Sequence, residues 1–175
     1  MSTDLFDVAA SAQPPAMLPV AFTVPGEPVA LGRARVAVIS GHARMYTPKE
    51  SAQHKGAVAA WARLANVCLA PDDQALGVDV VAVWEWPASW PKRRIVAAVV
   101  ALDNDRAMFG VPKSSRPDVD NVAKLVLDAL NGIAFSDDGH VAQLRAAKVY
   151  GPKAATHIRI YDASSPPTWP ARWWW

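Results

Sequence analysis

The chain has 175 residues, 51% of them hydrophobic and 19% charged, a balance that predicts one globular domain and excludes a disordered chain. Its single cysteine, Cys68, excludes an intrachain disulfide and a multi-cysteine metal site, and favours a reducing compartment. The formal net charge is +2, and charge alone favours an ordinary solvated surface over a specialised one. No apolar run reaches the roughly 18 to 20 residues that cross a bilayer.

The two ends of the chain differ in composition from its centre. Residues 1–17 begin with acids and lack a compact apolar stretch, so they do not form a secretory signal and are expected to be a flexible leader. Residues 164–175 form a tail rich in Pro and Trp. We therefore predict a cytoplasmic protein with one domain over residues 18–163.

The first half of this domain predicts strands followed by a helix. The stretch VAFTVPGEPVAL reads as a strand that a turn at Pro25 and Gly26 interrupts, and GRARVAVISGHARMYTP as a hairpin closing near Ser40 and Gly41. Thr47 before Pro48 and Glu50 is typical of a helix start, which predicts an amphipathic helix over residues 49–68. Its expected apolar face carries Val58, Trp61, Leu64, Ala65 and Cys68.

The second half mixes further strands with a loop and a helix. GVDVVAVWEW predicts a strand, with Trp84, Trp86 and Trp90 in the core and at the rim of a central sheet. WPKRRIVAAVVALD is compatible with a helix or a strand, and NDRAMFGVPKSSRP is typical of a loop. HVAQLRAAKVYG and ATHIRIYDA predict two antiparallel strands joined by a turn at Gly151 and Pro152.

The loop leads, before the first of these two strands, into an acidic segment, RPDVDNVAKLVLDALNGIAFSDDGH. Val122, Val126, Ala129 and Ile133 repeat at helical spacing, which predicts a helix over residues 121–133. On the opposite side a narrow polar stripe is formed by Asn121, Lys124, Asp128 and Asn131. Because the rest of the helix is apolar, the stripe is expected to face a cleft.

Asp118 and Asp120 come just before this helix. Either acid could serve as a helix cap, which is the structural alternative. In an extended Asp-Val-Asp, however, both carboxylates project to one side and can bind one hard cation, Mg²⁺ or Mn²⁺. Asp137 and Asp138 follow the helix, and a return of the chain could bring one of them to its start. A calcium loop is excluded, because its pattern requires Gly at Ala123 and Glu at Ala129.

Clustered acids with Mg²⁺ and a nearby lysine suit phosphodiester hydrolysis. The metal activates water and stabilises the leaving oxygen, and Lys124 offsets charge that builds on phosphorus. The alternative for Lys124 is a surface ion pair with Asp120 or Asp128, worth only about 0.2–0.5 kcal/mol.

With these residues in view, the segment resembles the RusA family of Holliday junction resolvases. The likeness rests on Pro-Asp-x-Asp-Asn, a Lys three residues after the Asn, Asp-Ala-Leu, and Asp-Asp before a strand, over residues 116–150. It extends loosely upstream to VPGEPVALGRARV and RMYTPKE. Two departures stand out: His140 where the family has Gln, and the Trp tail, for which packing on the protein itself is the first interpretation and base stacking the second.

The resemblance implies a mixed α/β (α+β) domain that forms a homodimer, depends on Mg²⁺ and makes paired nicks in a four-way DNA junction. It implies that Asp118, Asp120 and Asp138 bind the metal and act in catalysis with Lys124, while Asp128, Asp137 and Asn121 support them. Candidate phosphate contacts are the basic residues Arg33, Arg35, Lys92, Arg93, Arg94, Lys113 and Arg116. Two alternatives stay open: a junction-binding protein without cleavage, and a protein whose acids only cap a helix.

Overall fold

The computed structural model describes residues 18–32, 35–39, 42–46, 48–103 and 110–166; for residues 35–39, 42–46 and 101–103 it describes the backbone only. The leader, Arg33 and residues 167–175 with their four tryptophans lie outside the described residues. The predictions made for them therefore stay predictions. Of the helices described, none combines the length and the apolar character needed to cross a membrane.

These residues form an α+β domain around a mixed sheet. In chain order the elements are β1 (Val20–Pro25), β2 (Arg35–Ile39), β3 (His42–Tyr46), α1 (Lys49–Leu64), β4 (Leu76–Glu85), α2 (Lys92–Asp103), β5 (Val111–Pro112), α3 (Val119–Leu130), a 3-10 turn (Asp138–His140), β6 (Val141–Gly151) and β7 (Ala155–Asp162). The five-stranded sheet has the order β1-β7-β4-β6-β5, and only the β4–β6 pair is parallel. β2 and β3 pair as a separate hairpin.

One face of the sheet and the two helices α1 and α3 enclose the main core. Alternate residues of the central strand β4, such as Val78 and Val80, pack with Val58 of α1 and Leu125 of α3. Alternation of this kind places every second side chain of a strand on the same face. The residues between them, including Asp79 and Val81, are also buried on the other face, which explains why β4 is apolar on both faces except at Asp79.

Several local predictions are confirmed. β1 ends at Pro25, and Gly26 takes the positive φ of 102° that the turn requires. The β2–β3 hairpin closes with Ile39 opposite His42, the two residues that bracket the predicted turn. The ambiguous stretch after Trp90 is a helix, α2. Trp84 is buried, and the rings of Trp86 and Trp90 lie 5.8 Å apart at the rim.

The predicted pairing of the last two strands is wrong. β6 and β7 do run in opposite directions on either side of a turn after Gly151, but they are not neighbours, because β4 lies between them. β4 pairs in parallel with β6 and antiparallel with β7. Inserting the most apolar strand between two others buries both of its faces, a gain that the local turn pattern does not reveal.

The predicted length of α1 and part of its predicted inner face are wrong. The helix ends at Leu64, and Asn66 then adopts a left-handed conformation with φ of 55°. The N–H of Val67 bonds the carbonyl of Ala62 and that of Asn66 bonds Arg63, which is the Schellman arrangement. Cys68 is consequently past the helix and exposed. Of the predicted inner face, Val58 is fully buried, whereas Trp61 and Leu64 are 39% and 72% exposed.

Stability should depend on pH through His157 on β7. Burial lowers the pKa of His157 from 6.5 to about 4, and its Nδ1 lies 2.9 Å from Thr23 Oγ1. Because the unfolded chain takes up this proton first, the free energy of unfolding should fall as pH drops from 6.5 towards 4, by on the order of 1–3 kcal/mol. Urea titrations of the wild type and His157→Gln across this range should show a weaker pH dependence for the variant. An equal dependence in both would contradict the prediction, and His140→Gln serves as control.

Candidate active site

Two lysines hold the loop that leads into α3. Lys113, just after β5, donates from its ammonium to Ser115 Oγ at 2.6 Å and to the Arg116 carbonyl. Lys148, on β6, donates to the carbonyls of Ser115, at 2.9 Å, and of Pro117. The loop immediately before Asp118 is therefore fixed to the edge of the sheet. Lys148 was not among the residues that the sequence singled out, although its strand alternation was visible.

Asp118 and Asp120 lie together at the start of α3, but not as an extended pair. The helix already begins at Val119, so only Asp118 keeps extended backbone, with φ of −72° and ψ of 142°, and Asp120 lies in the first helical turn. The argument from an extended Asp-Val-Asp is thus wrong. The capping alternative fares no better, because Asp118 occupies the cap position without a side-chain capping bond. Both carboxylates are exposed.

The polar stripe of α3 is only partly in a cleft. Asp128 and Asn131 line a cavity of about 650 Å³ between α3 and α1, opposite Lys55 and Arg63. Lys124 is exposed, and within the described residues it forms no ion pair with Asp120 or Asp128. The backbone carbonyl of Asn121 accepts a hydrogen bond from Leu31 N–H at 2.9 Å. Lys124 therefore faces solvent, and Asn121 ties α3 to the segment before β2.

Asp137 and Asp138 lie at the other end of α3. Asp137 accepts a hydrogen bond from Gly139 N–H at 2.8 Å, and Asp138 begins the 3-10 turn. His140 in that turn has Nδ1 3.4 Å from Ser136 Oγ, consistent with a structural role before β6.

Two lengths show how far apart the acids are. α3 has 12 residues, which is about 18 Å. β6 then runs back about 23 Å from Val141 to Lys148, and the Lys148 ammonium bonds the Pro117 carbonyl next to Asp118. The chain therefore does not bring Asp138 back to Asp118 and Asp120.

This arrangement decides which carboxylates fit a metal within one chain. In the described part of the chain there is no group of three or more His, Cys, Asp or Glu side chains that could hold an ion together. Asp118 and Asp120 do offer two exposed carboxylates within one helical turn, the oxygen ligands that Mg²⁺ prefers. Asp138 of the same chain does not join them, so Asp118 and Asp120 are the acids that remain at the start of α3.

The predicted phosphate contacts are spread over several elements. Lys92, Arg93 and Arg94 are exposed in the first turn of α2, where no acid accompanies them. The Arg94 guanidinium lies 3.8 Å from the centre of the Trp90 ring. Arg116 is exposed in the loop before Asp118. The ammonium group of Lys113 donates hydrogen bonds to loop carbonyls, and only the backbone of Arg35 is described.

Comparison with known proteins identifies the family of the chain. A family model described as Endodeoxyribonuclease RusA matches residues 25–161, from the end of β1 to β7, and this range includes α3 and the acidic segment. The chain belongs to this family. Family membership implies a nuclease of Holliday junction resolution. The chain is also similar to the "Uncharacterized protein YqaN" of Bacillus subtilis (strain 168), at 30% identity over 150 residues, or 83% of this chain and 98% of the relative.

Proposed function

We propose that the protein is a Mg²⁺-dependent, structure-selective endonuclease that resolves Holliday junctions by paired symmetric nicks. The observation that carries the proposal is the exposed pair Asp118 and Asp120, which has no capping role and lies in the segment matched by the family. Mg²⁺, for which Mn²⁺ can substitute, would activate water and stabilise the leaving oxygen. Asp118 and Asp120 would hold it, and Lys124 would offset negative charge on the phosphate.

The direct test compares a labelled four-way junction with a linear duplex of the same sequence, with and without Mg²⁺. Symmetric nicks in the junction alone, and only with Mg²⁺, are the expected result. Binding of the junction without any cleavage would favour the alternative of a cleavage-deficient junction-binding protein. Indifference to both DNA and Mg²⁺ would instead favour acids that only decorate a helix.

We further propose that the chain acts as a homodimer and that Asp138 of a second copy completes each site. A two-fold symmetric junction with two symmetric cuts suits a two-fold symmetric enzyme. In a single chain Asp138 is separated from Asp118 by the length of α3. Its participation in metal binding therefore requires a second chain, while Asp137 and Asp128 would keep supporting roles at that end of the helix.

Mixing two inactive variants tests this shared site. Asp120→Asn and Asp138→Asn should each be inactive, but a heterodimer of the two combines both defects in one site and leaves the other site intact. Random reassociation should therefore restore roughly a quarter of the wild-type sites, seen as single nicks in a junction assay. If the mixture is as inactive as its parents, the shared site is wrong.

The first turn of α2 is proposed to contact DNA phosphates, together with Arg33, Arg35 and Arg116. Three cations at the positive end of a helix dipole reduce stability, so a bound anion gives their placement a reason. Lys92→Gln with Arg93→Gln should lower the slope of log binding constant against log salt concentration by about 2. It should not lower the melting temperature. Fluorescence anisotropy measures the slope; an unchanged slope would place these residues outside the interface, and Lys55→Gln is the control.

A further inference from the structure

Lys148 occupies an unusual position for a strand lysine. It is half-buried on β6, and its ammonium donates hydrogen bonds to two loop carbonyls, those of Ser115 and Pro117. Pro117 is the residue directly before Asp118. The hydrogen bond to its carbonyl therefore fixes the peptide from which the Asp118 side chain extends.

Lys113 adds a second ammonium to the same loop. Its backbone N–H bonds the carbonyl of Lys148 at 2.9 Å, so the two residues are neighbours on β6 and the end of β5. Its side chain donates to Ser115 Oγ and to the Arg116 carbonyl. Three consecutive carbonyls, those of residues 115 to 117, thus accept hydrogen bonds from two ammonium groups.

This arrangement is more than the loop needs for its own stability. The loop is largely exposed, so water could satisfy its carbonyls, and like charges on neighbouring strands repel each other. Neither lysine forms an ion pair with another of the described residues. Repulsion between the two ammonium groups has a purpose if they hold a functional group in place, because the groups that contact metal-binding residues set the orientation of the metal-binding side chains.

We propose that Lys148 is a positioning residue, which orients Asp118 for the divalent cation through its bond to the Pro117 carbonyl. Lys113 restrains the same loop through Ser115 and the Arg116 carbonyl. Lys148 touches neither the metal nor the DNA in this role. The inference rests on the proposed function, because it assigns a purpose to Lys148 only if Asp118 binds a cation.

The test measures cation binding apart from catalysis. The Mg²⁺ concentration that gives half-maximal thermal stabilisation is determined for the wild type, Lys148→Met, Lys148→Arg and a control, Lys153→Met, in the exposed turn after β6. Lys148→Met should raise this concentration about 10–100-fold, with a parallel rise in the Mg²⁺ needed for cleavage. Lys148→Arg should recover part of the loss because its guanidinium can still donate to both carbonyls. Lys153→Met should match the wild type.

The outcomes separate this inference from the function on which it rests. If Lys148→Met lowers the melting temperature but leaves the Mg²⁺ midpoint at the wild-type value, Lys148 is only structural and the inference is wrong. The proposed function would survive that result. If the wild type itself shows no response to Mg²⁺, both proposals are overturned.

Discussion

Asp120→Asn is expected to abolish junction cleavage and to leave junction binding in place. The substitution keeps the size of the side chain but removes a charge that would hold Mg²⁺ at the start of α3. Loss of about 3 kcal/mol or more of transition-state stabilisation corresponds to a rate at least about 100-fold lower. Single-turnover cleavage of a labelled junction gives the rate, and gel-shift titration without metal gives the affinity.

Controls make this result specific to the site. Asp73→Asn, in the exposed loop after α1, removes one negative charge elsewhere and should cleave like the wild type. The Asp120→Asn chain should also unfold at the wild-type urea concentration, because Asp120 is exposed. Cleavage by Asp120→Asn within a few-fold of the wild-type rate would remove this carboxylate from the active site.

Asp79→Ala is expected to be the most destabilising single substitution proposed for this protein. Asp79 is fully buried on β4, and its Oδ2 accepts hydrogen bonds from Arg159 on β7, at 2.6 Å from Nη2 and 3.0 Å from Nε. Tyr161 donates to its other oxygen at 3.3 Å. Removing the carboxylate breaks this buried ion pair, which costs about 3–5 kcal/mol. Urea unfolding at neutral pH measures the loss.

A double substitution separates loss of the pair from loss of packing. Asp79→Leu with Arg159→Met replaces both charges by apolar groups, and such replacements are often neutral or stabilising. The free energy of unfolding of the double variant should therefore exceed that of Asp79→Ala by at least about 2 kcal/mol. A cost below about 1 kcal/mol for Asp79→Ala would mean that water solvates Arg159 and that the pair contributes as little as a surface ion pair.

The site shows where prediction from sequence succeeded and where it did not. The acidic helix with Asp118 and Asp120 at its start followed from local signals, although it runs over Val119–Leu130 and not over residues 121–133. The distance of Asp138 from these two acids did not follow. The residues between α3 and Asp138 can either fold back along the helix or continue away from it, and the sequence pattern is the same in both cases. The pairing of β6 with β4 decided where Asp138 lies. The same pairing placed Lys148 where its ammonium bonds the Pro117 carbonyl.

By itself, the sequence determined the elements with a local cause: the β2–β3 hairpin with its short turn, the strand β4, and α3 with its apolar periodicity and acids. Such elements depend on contacts a few residues apart, which spacing reveals. Only the tertiary structure decided that β4 lies between β6 and β7, that Asp79 pairs with Arg159 across 80 residues of chain, and that the acids fall at opposite ends of α3. Those outcomes depend on which surfaces are buried together, and burial is a property of the assembled sheet.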